Sequence, residues 1–193
     1  MAIMLIHFPK MNRPECGIML LARLSDAEHY LFSPGDLLGA LQFQGRREGV
    51  AVLLSRAEKA GLLKRVCRGI YLYPRGAYPR GRVLFHAAAR LRAGEFNYIS
   101  LETALSDAGV ISQIPINAIT LMSSGRSTVI RCGDFGRIEF VHTTQRPDEL
   151  SDLLSYDPDC RLWRASPRLA LRDMRATRRN KDLIDWEVAR ELI

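Results

Sequence analysis

An α+β chain in two parts is predicted by three features of this 193-residue sequence. Over residues 44–73, a stretch of helical periodicity runs straight into two short apolar stretches separated by a tight turn. Residues 74–82 then gather two prolines, two glycines and three arginines, a composition that breaks regular structure. After that break, helix-like and strand-like segments are mixed. The expected organisation is an N-terminal winged helix-turn-helix over residues 1–76 and a mixed α/β region over residues 77–193.

Each element follows from local chemistry. The first fourteen residues read as an arm. Pro14 and Glu15 open a helix, since proline is tolerated in a first turn, and Ile18, Leu21, Ala22 and Leu24 give it an apolar side as far as His29. Ser33-Pro34-Gly35-Asp36 is a capping-box-like start, with Ser33 as N-cap and Asp36 three residues on. Leu37, Leu38 and Leu41 form the apolar side of that second, short helix, and residues 42–45 are the turn. In the third helix Val50, Leu53, Leu54 and Ala57 fall at i, i+3, i+4 and i+7 and share one face. Gly61, free to take positive φ, stops it. Residues 62–66 and 70–73 are two strands, with Cys67, Arg68 and Gly69 between them. Three helices followed by a two-stranded wing is the order of a winged helix-turn-helix.

Beyond the break, residues 83–92 are expected to be helical, with Leu84, Ala87, Ala88 and Leu91 on one side. Ser100 is expected to cap a helix to Asp107, with Glu102 against its N-terminal dipole and Gly109 ending it. Residues 118–123 read as a strand. Residues 127–132 and 138–143 read as a hairpin around Gly133-Asp134-Phe135-Gly136, and residues 164–175 and 182–192 as closing helices. No internal repeat is visible.

The net charge of +7 and pI near 9.6 favour nucleic acid or another anionic partner. Cys16, Cys67, Cys132 and Cys160 are far apart and form no CxxC pair, which argues for reduced thiols in a cytoplasm and against a zinc ribbon. The apolar start, residues 1–8, is too short for a membrane span and lacks the basic region of a signal peptide.

The charges fit a DNA-reading unit. A helix in the major groove presents its N-terminal residues to base edges and its flanks to phosphates. Gln44, Arg46 and Arg47 are placed where bases are read, arginine to guanine being the commonest such contact. Arg56 and Lys59 lie further along for phosphate contact, Lys64 and Arg65 belong to the wing, and Arg68 sits at its tip, suited to a minor groove. A second basic surface is suggested by Arg161, Arg164, Arg168, Arg172, Arg175 and Arg179, which recur at three- and four-residue steps. Pro167 starts the helix proper at Ser166, so the first two belong to its lead-in. DNA, RNA and an acidic partner all suit such a row, as does plain solvation. No Walker loop, GxSxG elbow or HExxH occurs. Asp157-Pro158-Asp159 reads as a turn rather than a metal pair, and His7, His29, His86 and His142 are isolated. No catalytic residue, cofactor or metal ligand is therefore expected.

Several motifs in order resemble those of the AbiEi family, antitoxins of type IV toxin–antitoxin systems. The run LLSRAEKAGLLKRVCRGIYLYP resembles the family's recognition helix and wing. Residues 98–105, YISLETAL, resemble its "Y-x-S-L-x-x-A-L" helix, and residues 138–142, IEFVH, its late strand. Ala165-Ser166-Pro167 with Ala170, Leu171 and Asp173 resembles its "A-S-P-x-x-A-L-x-D" helix start. The resemblance covers residues 20–192. It implies a DNA-binding winged helix, a C-terminal antitoxin domain and repression of the protein's own promoter, double-stranded DNA bearing inverted repeats. It also implies a nucleotidyltransferase-like toxin as partner, bound directly or opposed functionally. Two rivals are a stand-alone winged-helix regulator and an enzyme that uses the winged helix for docking.

Overall fold

The computed structural model describes residues 25–26, 28–36, 47–112 and 117–193. The first helix up to residue 24, the apolar side of the second (Leu37, Leu38, Leu41), the turn over 42–45, and Gln44, Arg46 and Cys16 lie outside the described residues. The chain divides into two compact units, residues 1–79 and 80–193.

In the first unit, Asp26 sets a turn ahead of His29, where the sequence suggests a helix end. Its carboxylate accepts the backbone N–H groups of Glu28 (2.8 Å) and His29 (2.6 Å), a local turn that competes with a helix. Strand β1, Leu31–Phe32, follows; no strand was expected there. Ser33 and Asp36 then form the expected reciprocal box. The Ser33 N–H donates to the Asp36 carboxylate (2.7 Å), and the Asp36 N–H reaches back to Ser33 Oγ (3.4 Å). Helix α1, Arg47–Lys59, buries Val50, Leu53, Leu54 and Ala57, the face read from the sequence. It ends in a Schellman motif: Leu62 N–H donates to Ala57 O (2.9 Å), Gly61 N–H to Glu58 O (3.0 Å), and Gly61 sits at φ +67°.

That ending turns the chain into strand β2, Lys64–Cys67, and strand β3, Ile70–Leu72. The three strands form an antiparallel sheet in the order β1-β3-β2, with an irregularity between Arg65 and Cys67. Phe32, Val50, Leu54, Ala57 and Leu63 form the core, and Leu62, Tyr71 and Tyr73 pack against it.

The second unit is built on a six-stranded mixed sheet in the order β6-β7-β5-β4-β9-β8. Its strands are β4 Asn97–Ile99, β5 Ala118–Ser123, β6 Thr128–Arg131, β7 Arg137–His142, β8 Leu154–Asp157 and β9 Leu162–Ala165. Its helices are α2 Val83–Leu91, α3 Leu101–Asp107, α4 Pro167–Ala176 and α5 Trp186–Glu191. Strand β5 and the β6–β7 hairpin are where the sequence placed them. Gly136, at φ +111° beside that turn, admits no other residue, because an added Cβ would lie 1.8 Å from the Asn117 carbonyl oxygen. Strands β4, β8 and β9 were not anticipated, and Arg164, expected near a helix start, lies in β9.

Side-chain alternation on β5 and β7 sorts the layers. Phe140, on one face, carries the Arg92 guanidinium 4.0 Å above its ring, next to α2. Thr120 and Tyr98, on the other, reach α3 and α4. Thr120 N–H donates to Thr103 Oγ1 (2.8 Å), and the Tyr98 hydroxyl donates to Asp173 (3.1 Å).

Asp173 is 0% exposed, on the inner side of α4. Its Oδ2 accepts from Ser100 Oγ (2.7 Å) as well as Tyr98, and its Oδ1 accepts from Gln145 Nε2 (3.1 Å). The Ser100 side chain is thus spent on Asp173, and no side-chain cap bond forms at the start of α3, contrary to expectation. Helix α3 still ends at Gly109 as read, in a second Schellman motif: Val110 N–H to Leu105 O (2.8 Å) and Gly109 N–H to Ser106 O (2.9 Å).

Burial pushes the Asp173 carboxyl above its usual range, against the three donors that pull it down. The folded state therefore holds that proton more tightly than the unfolded chain, and stability rises as pH falls through the raised titration. Asp173→Ala, which strands two buried hydroxyls and the half-buried Gln145 amide, is expected to cost about 3 kcal/mol in chemical denaturation. Asp173→Asn is expected to cost less and to lose the gain in stability on acidification; an unchanged pH profile in this variant contradicts the assignment.

Candidate nucleic-acid interface

One face of α1 is buried and the opposite face is open. Ala51, Val52, Ser55, Arg56 and Lys59 are exposed, and at 100° per residue they form one stripe opposite Val50, Leu53, Leu54 and Ala57. Arg56 and Lys59 occupy the last turn, where cations also suit the helix dipole. Val52, 50% exposed, is the residue that sequence reading missed. Its signal was its phase: an apolar side chain about 160° from the core-facing set. A small, partly apolar helix surface can approach a groove closely, and an aliphatic group there meets thymine methyls. Arg47 begins α1.

The wing follows α1 in the chain, and its sheet packs on the helix's buried face. Arg65 is exposed on β2, opposite Tyr71, and its Nε donates to the Cys67 carbonyl (3.4 Å). Lys64 is half-buried, and Arg68 is exposed at the hairpin tip, next to Gly69 at φ +81°. Residues 1–79 hold 11 Lys and Arg against 6 Asp and Glu, whereas residues 80–193 hold 17 against 15. The basic excess is therefore carried mainly by the unit that holds α1 and the wing.

The arginine row of the second unit is not one helical stripe. Arg164, on β9, is engaged by Asp157 (2.7 Å) and by Asp107. Arg179, beyond the end of α4, is engaged by Glu102 (3.1 Å) and Glu139 (3.3 Å). Both charges are compensated within the fold. Arg168, Arg172 and Arg175 remain exposed on α4; Arg172 donates to the Gln145 side chain. These three line one side of a cleft of about 620 Å³, with Asp148, Glu149 and Asp152 among its other lining residues.

The remaining polar candidates take structural roles. Asp157-Pro158-Asp159 forms the β8–β9 turn, in which Asp157 accepts the Cys160 N–H (2.9 Å). His86 is buried, lies 2.8 Å from the Asp159 carbonyl through Nε2, and is held below its usual pKa by desolvation. His142 Nδ1 lies 3.0 Å from the Gly125 carbonyl. Cys67, Cys132 and Cys160 are free and buried. Among the described residues no cluster of three or more His, Cys, Asp or Glu could hold a metal, and no helix is long and apolar enough to cross a membrane.

Burial alone would raise the Asp157 carboxyl, but hydrogen bonds from Arg164 and Cys160 hold it down to about 2. A depressed carboxylate stabilises the fold above its unfolded pKa, and that contribution is lost as pH falls through the folded value. Arg164→Gln is expected to move the Asp157 titration, followed by carboxyl NMR, up toward the ordinary aspartate range near 4. A titration still near 2 would show that Arg164 is not its cause.

Comparison with known proteins bears on the first unit. Residues 19–74, less than half of the chain, match a family model described as "Transcriptional regulator, AbiEi antitoxin". The match contains α1, its Schellman ending and the whole three-stranded sheet. A search of curated proteins found no match. Over residues 19–74 the chain is therefore similar to the AbiEi antitoxin transcriptional regulators.

Proposed function

We propose that this chain is the antitoxin of a type IV toxin–antitoxin system. In this reading it represses its own operon through the winged unit and neutralises a nucleotidyltransferase-like toxin through an antitoxin domain over residues 77–193. It acts by binding and not as an enzyme. The observation that carries the reading is the open stripe of α1, followed in the chain by a basic wing, within the segment that matches the family.

The division of labour on DNA follows from position. Gln44, Arg46 and Arg47 read bases at the start of the recognition helix, and Val52 and Ser55 approach the groove along the stripe. Arg56, Lys59, Lys64 and Arg65 contact phosphates, and Arg68 enters the neighbouring minor groove. Phosphate contacts carry affinity without sequence, whereas base contacts carry preference.

Two sets of variants test this. Arg46→Ala with Arg47→Ala is expected to abolish preference for the protein's own promoter over an unrelated duplex. Lys59→Ala is expected to weaken both duplexes equally and to lower the salt slope by about one. Retained preference in the double variant would remove base readout from those residues. The same double variant is expected still to rescue growth when co-expressed with the toxin encoded beside it. Loss of rescue along with repression would place neutralisation in the winged unit instead.

A further inference from the structure

We infer that the cleft beside α4 is a docking site for a second copy of this chain, which lays the exposed side chains of residues 182–192 against it while Ile184 and Ala189 stay packed on their own unit. Two surfaces of the same unit carry the inference by their complementarity.

The first is the cleft. Its basic side is Arg168, Arg172 and Arg175, at i, i+4 and i+7 on α4, and Leu153 and Leu171 contribute apolar surface between the charges. Arg168 and Arg175 form no ion pair among the described residues. Their neighbours in the row, Arg164 and Arg179, are each held by two carboxylates. The fold thus compensates Arg164 and Arg179 and leaves the three arginines between them facing outward. Nucleic acid suits this cleft poorly, because Asp148, Glu149 and Asp152 also line it and repel a phosphate backbone. A protein segment that carries both charge signs and an apolar edge suits it well.

The second surface is such a segment. Leu183, Trp186 and Leu192 are exposed at 48%, 38% and 45%. Glu187 and Glu191 stand at i and i+4 on α5, where they present a pair of carboxylates at the spacing of an arginine pair on a facing helix. Arg190, also exposed, supplies the opposite sign toward the acidic residues of the cleft. Ile193, which follows this segment, lines the cleft of its own unit. A twofold axis passing there carries each copy's segment onto the other's cleft, the isologous arrangement of most homodimers. Docking covers three exposed large apolar side chains and six unpaired or half-paired charges in one step.

Charge exchange tests the inference with the full chain. The wild type is expected to sediment at twice 21.8 kDa at micromolar concentration. Arg168→Glu with Arg175→Glu, and separately Glu187→Arg with Glu191→Arg, are each expected to give monomers. Mixing the two variants is expected to restore the dimer, since both contacts between unlike copies are then attractive. Recovery on mixing also proves that each variant is folded. A monomeric wild type at 100-fold higher concentration overturns the inference, as do variants that remain dimeric alone or a mixture that stays monomeric. Duplex DNA binding lost in the Arg168, Arg175 variant, from a monomeric wild type, would assign the row to nucleic acid.

Discussion

The second unit depends on one buried carboxylate. Asp173 gathers a strand residue, Tyr98, the residue that turns that strand into α3, Ser100, and a loop residue, Gln145, onto the inner face of α4. A charge or half-charge in that place is costly unless its hydrogen bonds are made. The arrangement accordingly specifies which side of α4 faces the sheet and which side, with Arg168, Arg172 and Arg175, faces out. Burial and the nearby Asp173 charge push the Tyr98 phenol well above its usual range, so it stays a donor throughout the neutral region. Two stretches that look like separate motifs in the sequence, YIS at 98–100 and the helix start that ends in Asp173, are the two halves of this contact.

A second clamp works at the same level. Arg179 reaches from beyond α4 to Glu102 on α3 and Glu139 on β7. It ties the three elements that also contribute to the resemblance motifs. Arginines that read as a basic surface in one dimension are, in three, partly the mortar between acidic motif residues. Position in the fold, and not residue type, separates Arg164 and Arg179 from the three arginines between them.

The first unit was legible because its signals are local. Helical phase identified Val50, Leu53, Leu54 and Ala57, a glycine at C′ marked the end of α1, and a turn glycine marked the wing. The Ser33–Asp36 box was readable for the same reason. Strand β1 was not, because two residues hold no periodicity and its pairing with β3 is set by partners forty residues away. In the second unit β5 and the β6–β7 hairpin were long or turn-marked enough to read. Strands β4, β8 and β9 are three or four residues each, and β4 pairs in parallel with β9 across more than sixty residues, a contact with no local signature. Ser100 stands at the N-cap as read, but its hydroxyl serves a distant carboxylate instead of the helix, and both roles require the same small hydroxyl. Of the candidate interface on α1, the buried face told which side is open, but Gln44 and Arg46 fall outside the described residues, and Val52 was visible only once burial sorted the faces.

We propose that the open stripe of α1 and its wing read a DNA sequence. The direct measurement is fluorescence anisotropy of the full chain with a duplex from upstream of its own gene and with an unrelated duplex of equal length, at 50 and 200 mM salt. Base readout predicts a preference for the cognate duplex that persists as both affinities fall with salt. Equal affinities that collapse together at the higher salt would contradict it and reduce the interface to phosphate-seeking charge.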